Sequence, residues 1–311
     1  MQFYLSLGVF FCCSLFLKGQ DYLDYYEAVN TAQAHIAKER YEEALRIYRS
    51  TFEAYEFEFA RDCIHACEAA LAAQSETELH YFMTVALHRG VPLSYFLEKE
   101  AYQQSNSLSQ LAIVADSLRI ASMNNINHAL RQEINLMFQK DQRLRTRYYK
   151  WYNLPIRPLI GRKWKQLNRQ QVERIIEITQ NGGFPGEKRI GIDMATDHSK
   201  VDENSLSSAM PIVILLHHYS APNPSYDSLL IAEIAKGNLN NRHYATICDF
   251  EAQYGKGQYA NDGAYGIAFE KATASTAAVQ IKRTRIQLTS PQLLSRLEKQ
   301  NLLSKFWRRL Y

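Results

Sequence analysis

The chain is poor in the features that announce many functions. It has five Cys in 311 residues, and two of them, Cys12 and Cys13, sit inside an N-terminal apolar run. The other three, Cys63, Cys67 and Cys248, are too few and odd in number for a disulfide framework. Cys63 and Cys67 are four apart and share a helix face. With no second ligand pair at zinc spacing, they read as small core residues. Charge of one sign is also missing: 36 Lys and Arg against 32 Asp and Glu leave +4, too weak a bias for a nucleic-acid partner. The basic stripe read from the sequence is the tail Lys305-Phe306-Trp307-Arg308-Arg309-Leu310-Tyr311, which reads as an amphipathic terminal helix packing Phe306, Trp307 and Leu310. No H-E-x-x-H, G-x-S-x-G or phosphate-loop motif occurs, so no cofactor and no metal are predicted.

Long apolar runs are lacking after the first. Tyr4 to Leu17 is almost wholly apolar and ends at Lys18-Gly19-Gln20. A spanning helix needs roughly 20 apolar residues, so this run reads as the h-region of a signal peptide covering residues 1–20, although Met1-Gln2-Phe3 carries no Lys or Arg. The expectation is an exported protein, periplasmic or extracellular. Pro211 to Leu216 is too short for a span and reads as buried core, so no transmembrane segment is predicted in the mature chain.

Gly and Pro are absent from Asp21 to Arg89, and that stretch, rich in Ala, Glu, Leu and Tyr, predicts helix. Tyr41, Ala44 and Tyr48 alternate large, small and large, with Ala32 on the helix before, which suits a close helical hairpin. A second hairpin is marked by Ala66, Ala69 and Ala70, then Leu79, Phe82, Met83 and Ala86, and stops at Gly90 and Pro92. The pattern resembles a pair of degenerate tetratricopeptide repeats over residues 21–107. Two copies fall below the usual minimum of about three, so the region is expected to pack on the second half of the chain and could meet a protein or peptide partner.

Residues 108–311 predict a mostly helical second domain with irregular loops, making the chain mainly α. Helix is expected from Leu108 to Trp151 with a break at Asn124-Asn125, then from Gln166 to Gln180, with Val172, Ile175, Ile176 and Thr179 on one face. Pro155 to Gly161 reads as a loop or hinge, and Asn181 to Gly186 as a stop. Arg189 to Asp193 reads as a short strand or an extended loop, and Ser199 to Ser208 as a polar loop. Further helices are expected from Ser208 to Tyr219, Tyr226 to Lys236 and Asn241 to Glu251, with one or two more from about Ser290 to Tyr311.

Several polar residues flank apolar runs in this half. Asp141 and Arg145 lie four apart and can pair on a helix face. His217 and His218 end an apolar helix. Asp249 follows another apolar stretch, and Gln258-Tyr259 and Tyr265-Gly266 lie in an irregular segment. In order, Asp141, Gln142 and Arg145, then Gly183-Phe184-Pro185, His218, Ala245 with Asp249, and the Gln and Tyr-Gly elements resemble an uncharacterised bacterial domain. Secreted proteins often carry that domain behind tetratricopeptide-like helices. The resemblance covers roughly Leu130 to Ser304. The Arg that its pattern places after the acid is Phe250 here, and its Gln and Tyr-Gly elements are spread apart. The resemblance implies a site but no reaction.

Two functions are expected from these residues. One is a structural or protein-interaction module in which these groups form a buried polar network. The other is a hydrolase-like enzyme with His218 as base, Asp249 or Asp141 orienting it, and Arg145 holding an anion. Gln142, Gln258, Tyr259 and Tyr265 would contribute to binding. A metal-dependent variant would recruit His217, His218, Asp193 or Asp249. Whether the chain is an enzyme stays open at this level.

Overall fold

A computed structural model describes residues 20–193, 207–220, 223–254, 265–267 and 277–299. The N-terminal apolar run up to Gly19, most of the expected polar loop from Ser199 to Ser208, Gln258, Tyr259 and the tail from 300 lie outside them. The fold is mainly α, with fifteen α-helices, one 3-10 turn and no strand among the described residues.

The stretch without Gly or Pro forms α1 (Tyr22–Ile36), α2 (Tyr41–Ala54), α3 (Ala60–Ala72) and α4 (Glu76–His88). Asp21 starts α1, its side chain accepting from the Leu23 amide at 2.9 Å, as an N-cap acid should. Short connections fold the four helices into two hairpins. Ala32, Ala44 and Tyr48 are fully buried in the first, and Ala66, Ala69, Ala70, Phe82 and Met83 in the second. Small residues therefore face large ones across each seam, and the helices approach closely.

Three helices lead on from the hairpins: α5 (Leu93–Leu97), α6 (Glu100–Gln103) and α7 (Asn106–Asn124). The long pair α8 (His128–Tyr149) and α9 (Arg157–Gly182) comes next, joined by a 3-10 turn at Trp151–Ile156. Asn127 caps α8, accepting from the Leu130 amide at 2.9 Å. The expected loop from Pro155 to Gly161 is helical instead. Pro158 sits in the first turn of α9, where an amide hydrogen is not needed. Gly161 lies inside the helix with Tyr148 against it, where an added Cβ would meet the ring at 3.2 Å.

The second half continues with α10 (Glu187–Ile190), α11 (Met210–Tyr219), α12 (Asp227–Ala235), α13 (Asn241–Tyr254), α14 (Ala277–Arg285) and α15 (Pro291–Lys299). The segment from Arg189 to Asp193 is not a strand: its start closes α10 and Gly191 turns it at φ +71°. The α14 helix carries no pattern that marked it in the sequence. Gly237 ends α12 at φ +73°, and a Cβ there would lie 2.6 Å from the Tyr22 ring. Only glycine tolerates both that backbone and that contact.

The two halves share one continuous core. Polar ties cross the seam: the Ala60 amide donates to Glu187 Oε1 at 2.6 Å, and the Asn241 amide to Tyr26 Oη at 3.3 Å. Asn30 Nδ2 donates to the Gln287 carbonyl at 2.8 Å, and Thr289 Oγ1 to Asn30 Oδ1 at 2.7 Å. The hairpins therefore do not project as a free arm. Burial at this seam raises Glu187 to about 8 and Asp62 to about 6, so Glu187 is largely protonated at neutral pH. Burial, with Arg61 and Arg242 nearby, pushes His243 down to about 3.

Candidate functional site

Helices α8, α9 and α11 meet around one fully buried carboxylate. Asp141 on α8 is 0 % exposed. Trp164 Nε1 on α9 donates to Oδ1 at 2.7 Å, and Gln142 Nε2 to Oδ2 at 2.9 Å. His217 Nδ1 on α11 lies 3.1 Å from both oxygens. With Nδ1 donating to the carboxylate, Nε2 carries the lone pair in the neutral ring. That atom has no hydrogen-bond partner among the described residues. The Trp164 ring stands edge-on to the imidazole at 5.0 Å and fixes its plane.

The register of α9 explains why the group assembles. Trp164, Asn168 and Gln171 recur at i, i+4 and i+7, one helical stripe. Asn168 Nδ2 donates to the Ile214 carbonyl of α11 at 2.9 Å, and Gln171 Nε2 to the Met137 carbonyl of α8 at 2.6 Å. Val172, Ile175, Ile176 and Thr179 continue the seam as buried side chains.

In front of His217 opens a cleft of ≈ 1250 Å³. Tyr148 and Trp164 line it with Tyr226 and Phe250, and Arg145, Lys165 and Arg169 supply cations. Glu173 is the one acid among its lining residues. Such a concave site with aromatic walls and a few polar groups is the usual form of a ligand pocket.

The predicted residues separate into two groups. Asp141, Gln142 and Arg145 stay together, but not as an ion pair. Arg145 Nη1 donates to Gln142 Oε1 at 3.4 Å, and Gln142 in turn holds Asp141. The acid points inward to α9 and α11 while Arg145 reaches solvent, so the i, i+4 spacing does not become a contact. His218 lines the cleft, yet its Nε2 is 3.0 Å from the Pro224 carbonyl, and the imidazole that meets Asp141 is His217. Burial pushes the His218 pKa down.

Asp249 on α13 is occupied elsewhere. Its oxygens accept from the backbone amides of Tyr265 at 2.5 Å, Gly266 at 3.1 Å and Ile267 at 2.6 Å. Arg283 donates to the Tyr265 carbonyl, and the Tyr265 ring packs on Tyr244 at 5.9 Å. Asp249 and Tyr265 thus form one anchoring unit. Phe250, where the resembled pattern has Arg, lines the cleft as an apolar wall.

Asp193 accepts from the Ala209 amide at 2.9 Å, and burial raises it to about 6. Among the described residues no three His, Cys, Asp or Glu gather as a metal-binding group. Cys63, Cys67 and Cys248 are unpaired by disulfides and buried, and burial pushes each thiol up, away from the thiolate that a nucleophile needs.

Sequence reasoning missed His217 as the partner of Asp141, and missed Trp164 altogether. A signal was available in the polar stripe Trp164, Asn168, Gln171 on a helix that is otherwise apolar on that side. Comparison with family models, with curated proteins and with solved structures finds no match.

Proposed function

We propose that the cleft is the functional site and that the protein is a hydrolase-like enzyme acting on an anionic ester. One observation carries this: a histidine held through Nδ1 by a buried carboxylate lines an open cleft bearing Arg145, Lys165 and Arg169. In this reading His217 Nε2 takes a proton from water as the water oxygen bonds to the ester carbonyl carbon. The same proton then goes to the departing oxygen as the carbon–oxygen bond breaks. Asp141 holds the tautomer, and the cations bind the charged part of the substrate. His218 contributes to the wall.

The order of elements that resembles the uncharacterised bacterial domain fits a site in this half of the chain and names no reaction. His217 then takes the role expected of its neighbour. The second reading, a structural or protein-interaction module, is favoured by the complete enclosure of Asp141 among three donors.

A panel of p-nitrophenyl carboxylic esters, neutral ones and ones whose acyl part bears a carboxylate, decides between them. Turnover by the intact protein, lost by roughly a hundredfold or more in His217→Gln and Asp141→Asn with folding retained, is the expected result. No turnover of any ester, together with a fall in melting temperature in both variants, would leave the network as a packing device.

A further inference from the structure

The hairpin of α8 and α9 ends in a tip of unusual composition. From Gln142 to Val172 the chain carries nine Lys and Arg and no Asp or Glu; Arg145, Lys165 and Arg169 line the cleft, and the other six belong to the tip. The same stretch presents large apolar side chains to solvent. Trp151 is 78 % exposed, Tyr149 64 %, Leu159 58 %, Leu154 57 %, Tyr152 56 % and Ile156 39 %. Folded chains leave single apolar residues outside as a matter of course, but a contiguous group of them ringed by charge marks a contact surface.

The tip is held in shape. Asn153 is buried; its Nδ2 donates to the Arg147 carbonyl at 2.8 Å, and its amide to the Lys150 carbonyl at 3.1 Å. Arg157 Nε donates to the Tyr148 carbonyl at 3.1 Å. These bonds close the 3-10 turn from inside, so the apolar residues at 151, 152, 154 and 156 point outward from a fixed scaffold. Little ordering cost then remains for whatever the tip meets.

We infer that the tip docks on an anionic lipid surface, with Trp151, Leu154 and Leu159 entering the headgroup boundary and the surrounding Lys and Arg facing the phosphates. Trp and Tyr prefer that boundary because the ring is apolar and its edge polar. Lys and Arg lay their stems along the apolar layer and keep their charge in water. A basic surface of one sign is attracted to anionic lipid within about a Debye length. The aliphatic members, Leu154, Ile156 and Leu159, favour lipid over nucleic acid, because they offer no face on which a base stacks. Among the described residues no helix is long and apolar enough to cross a membrane.

Flotation of the intact protein with vesicles tests this. Vesicles of phosphatidylcholine with about one-third phosphatidylglycerol should carry the protein upward at low salt and release it near 0.5 M salt, roughly where screening reaches a few ångströms. Pure phosphatidylcholine should not carry it. Trp151→Ala combined with Leu154→Ser should lose most of the binding. Lys150→Glu and Arg162→Glu should each weaken it by about fivefold or more. All four positions are exposed and lie outside the cleft lining, so melting temperature and any esterase activity should be unchanged. Equal binding to neutral vesicles, wild-type binding by the tip variants, or displacement from the vesicles by an oligonucleotide that the tip binds more tightly would each overturn the inference.

Discussion

Replacing Glu187 by Gln should change stability at alkaline pH and hardly at all at acid pH. The carboxyl is buried where the hairpins meet the second half, with the Ala60 amide donating to Oε1 at 2.6 Å, and burial raises its pKa from 4.5 to about 8. In the unfolded chain the group ionises near 4.5; in the folded chain it keeps its proton until about 8. Between those values the folded state binds more protons than the unfolded one, so stability falls as pH rises and levels off above the folded-state value. A rise of that size corresponds to roughly 5 kcal/mol, and relaxation of the seam around an ionised carboxylate reduces the observable loss to a few kcal/mol. Glutamine keeps the oxygen that serves Ala60 and cannot ionise. Glu187→Gln should therefore match wild type within about 1 kcal/mol at pH 5. It should melt roughly 5–10 °C higher at pH 9. Glu187→Ala, which leaves the amide without an acceptor, should lose about 1–3 kcal/mol already at pH 5. Melting curves across pH 5 to 9 read all three. A Gln variant whose offset from wild type is the same at every pH would refute the reasoning.

Other contacts lead to three further outcomes. In Gly186→Ala the new Cβ would lie 2.0 Å from the Asn238 carbonyl oxygen. Two backbones would have to part, so a loss of about 3 kcal/mol is expected in urea denaturation; a loss under about 1 kcal/mol would contradict the close approach. The buried thiols of Cys63, Cys67 and Cys248 should stay silent toward Ellman's reagent until the chain is denatured, and a fast-reacting native thiol among them would count against the packing. Asp249→Asn keeps one acceptor and loses the charge that three amides share. Hydrogen exchange at residues 265–267 should then quicken by roughly tenfold or more, while the melting temperature moves little; unchanged exchange would show that the acid does not hold the loop.

What the sequence revealed depended on how local each cause was. The helices of the first half arise from the absence of Gly and Pro and from Ala facing Tyr, all short-range features. Pro155 to Gly161 reads as a loop because Pro and Gly break helix interiors, whereas Pro158 occupies a first turn and Gly161 admits Tyr148. At the site, two adjacent imidazoles lie about 100° apart around a helix, so only the packing of α11 against α8 decides that His217 and not His218 reaches Asp141. The Asp141–Arg145 spacing correctly placed both on one helix, yet burial of the acid sent its bonds across to α9 and α11. The amides that receive Asp249 have no side-chain signature. The run of nine cations without an acid is plain in the sequence, but exposure of the neighbouring aromatic and aliphatic side chains is a property of the folded hairpin.

Asp249 seizes the 265–267 segment by its main chain, which every amino acid except proline supplies alike. At those three bonds spelling is immaterial, but not beyond them: Tyr265 and Ile267 are buried and Gly266 turns at φ +67°. The segment is thus gripped twice, by its main chain at the acid and by its side chains in the interior, and a substitution there meets the second grip even where the first ignores it.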